Sequence, residues 1–64
     1  MFSFGENFME LWVQIPTIIT YRGYVGMANA IDDARTSNEI TDRDERTLLE
    51  ALEIVRQARK IKDE

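Results

Sequence analysis

Without a single cysteine or histidine among its 64 residues, this chain must hold any fold together by burial alone. A chain so short covers only ~60% of the surface its unfolded form exposes, and small domains commonly add disulfides, a structural metal or a second copy of themselves. The missing thiols remove the first route, and with the imidazoles also gone most of the second disappears. Association with another protein surface is the route left, and a homodimer is its simplest form. No metal and no cofactor are expected, and residues 1–64 are read as one folding unit.

Charge is divided unevenly along that unit. From Met1 to Ile31 only Glu6, Glu10 and Arg22 are charged, whereas Asp32 to Glu64 carries the other seventeen of the twenty charges. All six aromatics, Phe2, Phe4, Phe8, Trp12, Tyr21 and Tyr24, fall in the first part. No repeat or low-complexity linker separates the parts, so a greasy end and a charged end belong to the same core. One amphipathic helix cannot shield so many large apolar side chains from water, and the excess points to an intermolecular surface.

Periodicity is clearest in the charged half, where it predicts a helix from about Asp42 to Lys62 with Thr41 as N-cap. Asp42, Asp44 and Glu45 sit at its positive end and Arg56, Arg59, Lys60 and Lys62 at its negative end, each sign favourable to the helix dipole. Arg46, Glu50, Glu53, Gln57 and Lys60 form a narrow polar stripe opposite Leu48, Ala51, Leu52, Val55 and Ala58. The apolar arc is broader than one neighbour can cover, with Leu49 on one shoulder and Ile54 with Ile61 on the other, roughly 140° apart on a helical wheel. Either two internal elements flank this helix or one shoulder faces another molecule.

A second helix is predicted within Thr17 to Thr36, from about Gly23, with Arg22, Gly26, Asn29 and Asp33 outward and Tyr24, Met27, Ala28, Ile31 and Ala34 inward. Ser37-Asn38 ends it, because Asn tolerates a left-handed backbone, and a short turn then leads into the last helix. The first helix is predicted from about Gly5 to Gln14, opened by Ser3 with Glu6 as a capping box and halted before Pro16. The expected fold is therefore all-α, a three-helix domain with a C-terminal helical hairpin. A competing α+β reading pairs Leu11–Ile15 with Ile18–Arg22 as strands, since Thr17 to Tyr21 are mostly β-branched.

Chemistry-bearing patterns are few. Proton-transfer catalysis usually uses His or displaced carboxylates, and most carboxylates here lie in the charged half; Glu10 beside Trp12 reads as the solvent side of a short helix. Ser3, Ser37 and the threonines have no partner base, so the chain is read as a non-enzyme. Asp33 to Asp44 superficially matches a twelve-residue calcium loop with Ser37 at position five and Ile40 at eight, but Arg35 would face the ion and Asp44 is too short for the bidentate Glu. The acidic group Asp32, Asp33, Glu39, Asp42, Asp44 and Glu45 is interleaved with Arg35, Arg43 and Arg46 and reads as a solvated turn. Gly23, Gly26 and Ala30 form a small-residue seam that suits either internal packing or a second helix.

A net charge of −4 and pI near 4.7 disfavour nucleic acid and anionic lipid as partners. Gln14, Pro16, Arg22 and Asn29 interrupt the apolar stretch before the ~20 residues of a membrane span. Lacking the basic n-region of an export signal, the chain is expected to be cytoplasmic. The functional reading is a non-enzymatic protein–protein interaction or regulatory protein docking through Phe4, Phe8, Trp12, Tyr21, Tyr24, Ile54 and Ile61, on itself or another protein. Its size and acidity suit an accessory inhibitor of the type found in phages. Two other readings are a nucleic-acid-binding dimer using the basic helix end, and a subunit of a larger assembly.

Overall fold

The computed structural model describes residues 8–63, and three α-helices account for most of them, with no strand among the described residues. Helix α1 spans Phe8–Gln14, α2 Tyr21–Thr36 and α3 Asp42–Arg59, with a 3-10 turn at Ile15–Thr17 between the first two. The predicted opening of the first helix at Ser3 to Gly5, with its capping box to Glu6, lies outside the described residues, as does Phe4.

Pro16 decides how the chain leaves α1. It lacks an N–H and crowds the preceding residue, so the backbone tightens into the 3-10 turn, where the Thr17 hydroxyl donates to the Gln14 carbonyl at 2.6 Å. Ile18 and Ile19 then extend for two residues only, because Thr20 at φ −126° and ψ 160° caps α2 by accepting the Gly23 N–H at 3.0 Å. This cap starts α2 at Tyr21, two residues before the start expected at Gly23, and leaves no length for the strand pair Leu11–Ile15 with Ile18–Arg22.

Both longer helices stop in the same way. Asn38 takes a left-handed φ of 63°, and the Glu39 and Asn38 amides return to the Ala34 and Arg35 carbonyls at 2.9 and 3.1 Å. Lys60 repeats the geometry at φ 55°, with the Ile61 and Lys60 amides on the Arg56 and Gln57 carbonyls at 3.0 and 3.2 Å. These paired returns satisfy carbonyls that would otherwise be orphaned at a helix end. Helix α3 consequently ends at Arg59, short of the expected Lys62. At its start, Thr41 and Asp44 cap each other reciprocally, side chain to backbone amide in both directions.

Leu11, Ile15, Ile18, Met27, Ile31, Ala34, Ile40, Leu48, Leu52 and Ile61 form one continuous buried cluster. Helix α3 lies at its centre, packed on α2 along one flank and on α1 and the 3-10 turn along the other. Two internal elements thus flank α3, one of the two alternatives its broad apolar arc left open, but Leu49 and Ile54 remain outside both contacts at 41% and 68% exposure. Ala58, expected on the apolar face, is also exposed.

Candidate docking surface

Helix α1 reads Phe-Met-Glu-Leu-Trp-Val-Gln and is apolar almost all round. Only Leu11 is fully buried, with Phe8 packed at the core's edge, while Met9, Trp12 and Val13 stay 63%, 42% and 57% exposed. A helix that is greasy on every side and covered on one leaves a surface unspent. Trp12 is held in place by Phe8, one turn earlier, with ring centroids 5.6 Å apart and planes 17° from parallel. This offset stack fixes the indole without hiding it.

Across from Trp12, Ile54 stands out from α3. Between them runs an open groove of about 210 Å³ lined by Trp12, Ile15, Pro16, Ala51, Ile54 and Val55, all apolar. Its walls are set by the backbone: the 3-10 turn brings Pro16 beside α3, and Arg59 fastens that contact by donating to the Pro16 carbonyl at 2.9 Å. Glu50, Glu53 and Gln57 border Ile54 on the outer side.

The other candidate residues separate into distinct roles. Tyr21 and Tyr24 are half-buried and form a tilted pair, with the Arg56 guanidinium 4.7 Å from the Tyr24 ring centroid and 5.8 Å from that of Tyr21. Arg56 also donates to the Ile61 carbonyl at 3.2 Å and to the Tyr24 hydroxyl at 3.4 Å, and that hydroxyl donates to Glu53 at 3.2 Å. The cluster ties the start of α2 to the end of α3, so the two tyrosines are wall rather than open surface. Ile61 corrects the expectation that it shares a shoulder with Ile54. The left-handed turn at Lys60 takes it off the helical wheel and folds it into the core at 7% exposure. Trp12 and Ile54 remain at the surface, with Phe8 half-buried at the core's edge, and Met9, Val13 and Pro16 join them. The largely apolar character of α1 was the signal for Met9 and Val13; the groove itself needs tertiary contact between residues some forty positions apart.

The small-residue seam opens outward. A Cβ added at Gly26 would meet no heavy atom within 4 Å, whereas one at Gly23 would lie 3.2 Å from the Thr20 hydroxyl. Exposed Ile19 borders the same shallow groove, so none of the described residues fills the seam.

Several charged groups serve the fold. Arg35 pairs with Asp42, which lowers the Asp42 pKa and raises that of Arg35 through a hydrogen bond reinforced by Coulombic attraction. Asp44 is spent on the α3 cap, and Arg35 turns to Asp42 rather than inward, so the Asp33 to Asp44 segment is a capped helical turn. Among the described residues no three His, Cys, Asp or Glu side chains gather as metal ligands. Of the four cations at the basic helix end, Arg56 and Arg59 are engaged within the chain. Among the described residues no helix is long and apolar enough to cross a membrane.

Fold and surface together define a small all-α domain of three helices with an open apolar groove between the 3-10 turn and the last helix. No protein-family model matches the chain, and no curated protein or solved structure shows significant similarity to it.

Proposed function

We propose that this chain is a non-enzymatic interaction protein that docks on a partner through the face formed by Trp12, Pro16 and Ile54, with Met9 and Val13 at its margin. One observation carries the reading: the most exposed aliphatic side chain of α3 and the only tryptophan line the same apolar groove, with nothing from the described residues closing it. Exposed aromatic and aliphatic anchors beside a groove are the residue types that dominate interface energetics when water is excluded from them. Acting by occupation of a surface fits a regulator or inhibitor in the cytoplasm, and a homodimer through the same face belongs to this reading. A phosphate-binding role for the basic helix end draws less support, because half of its four cations are committed inside the fold.

Ile54→Ser is the discriminating variant. At 68% exposure the side chain contributes little to the core, and its replacement should change stability by no more than about 0.5 kcal/mol. Protein purified from its native source with the immobilised chain should be retained by the parent and lost from a folded Ile54→Ser and a folded Trp12→Ala variant. Retention by both variants would rule the docking face out.

A further inference from the structure

The apolar face of this chain carries both halves of a fit. Its groove between Trp12 and Ile54, about 210 Å³, takes side chains rather than a whole helix, which is about 10–12 Å across. What enters it must project from the surface of its partner. Such projections stand beside the groove on the same chain. Met9 and Val13 lie about 60° and 100° round the helical wheel from Trp12, opposite buried Leu11, and are 63% and 57% exposed. The ridge they form begins where the groove's Trp12 wall ends.

A ridge beside a hole of the same apolar character is what a two-fold pair of identical chains needs, because the rotation brings each ridge over the other copy's hole. The area is sufficient. Met9, Trp12, Val13, Pro16 and Ile54 together expose about 500 Å², so covering them on two copies removes about 1,000 Å² from water, the lower limit for a specific interface. None of the five is charged, so these side chains meet their own copies without opposing like charges.

Given docking at the Trp12 and Ile54 face, on which this inference rests, we propose that the occupant of the groove is a second copy of this chain. In the resulting isologous dimer Val13 of each copy, flanked by Met9, seats between Trp12 and Ile54 of the other. An interface of this size without a charged anchor is a weak one, with a dissociation constant of about 1–100 μM.

The full chain is followed across that concentration range by sedimentation equilibrium and by the emission of Trp12, its single tryptophan. Emission should move to shorter wavelength as the dimer forms. Val13→Ser on the ridge and Ile54→Ser in the groove should each weaken association about tenfold or more, with circular dichroism confirming that the helices are kept. Mixing the two variants tests the pairing itself. A mixed pair retains one intact ridge-in-groove contact where each variant alone retains none, so it should associate about fivefold or more tightly than either variant with itself. No gain on mixing would overturn the ridge-in-groove pairing, and a dimer untouched by both substitutions would overturn it by placing the contact elsewhere. Growth beyond a dimer would mean a head-to-tail contact and overturn the two-fold. A monomer at every concentration also overturns the proposal, and quenching of Trp12 by acrylamide then separates two cases. An open indole leaves the docking face standing for a different protein, whereas a shielded one means that the groove is filled from within the chain and the docking reading falls too.

Discussion

Lys60 holds a left-handed backbone, φ 55° and ψ 44°, at the point where α3 must stop for Ile61 to reach the core. For a residue with a Cβ that conformation costs on the order of 1 kcal/mol, which glycine avoids. Lys60→Gly should therefore raise stability by roughly 0.5–1 kcal/mol, read as a higher urea midpoint at unchanged slope. The two helical glycines should respond unequally. Open space around Gly26 means that Gly26→Ala gains helix propensity, up to about 1 kcal/mol, whereas Gly23→Ala presses on the Thr20 hydroxyl that caps the helix and should gain less or lose. Thermal melts of the two variants side by side decide this. Asp42 supplies a pH effect. Its folded pKa lies below the ordinary aspartate value near 3.9, so its contribution is fully present above that value and is lost as pH falls through the folded pKa. The stability difference between the parent and Asp42→Asn should accordingly be present at neutral pH and close below about pH 4, a small change because the pair is solvent-exposed.

At the scale of elements, the helices differ in what fixes them. Helix α3 carries its own instructions: a reciprocal cap at Thr41 and Asp44, charges matched to the dipole, and a polar stripe opposite Leu48 and Leu52. Those features act within one or two turns, so they are legible in sequence order. Helix α2 was legible in its inward face and in its end at Asn38, but its start depended on whether Thr20 would cap a helix or continue a β-branched run. The cap prevailed because Pro16 had already forced the chain into a turn. Helix α1 is the least determined, since a helix apolar on nearly every side has no preferred orientation until it meets α3. Arg56 adds a polar tie between the start of α2 and the end of α3, and its loss removes a ring contact and leaves the Ile61 carbonyl without its donor. Arg56→Ala should cost about 2 kcal/mol and lower the thermal midpoint, with Arg56→Lys recovering only part, because an ammonium cannot reproduce the planar fork.

The whole molecule concentrates stability in a few side chains. Leu48 and Leu52 are at most 1% exposed and belong to the single buried cluster. Truncating Leu48 to Ala should cost about 3 kcal/mol, enough to unfold a domain this small. The surface face behaves differently, and a variant there should disturb binding before it disturbs folding. Sedimentation equilibrium on the parent and Ile54→Ser should reveal whether the Trp12 groove is closed by a second copy: a dimer that the substitution dissociates assigns the groove to self-association, and a concentration-independent monomer leaves it open for another protein.

What the sequence determined by itself is what short-range physics controls: the C-terminal helical hairpin, the cap at Thr41, the stop at Asn38, the polar stripe of α3 and the excess of apolar side chains over the core that one helix can cover. Tertiary structure decided which of those side chains are spent. Tyr21 and Tyr24 went to the wall beneath Arg56, and Ile61 entered the core because the backbone turned at Lys60. Trp12 and Ile54 stayed outside because a core of this size is already filled by Leu11, Ile15, Leu48 and Leu52. Periodicity fixes the direction of a side chain on its own helix, whereas exposure depends on the neighbour that arrives from elsewhere in the chain.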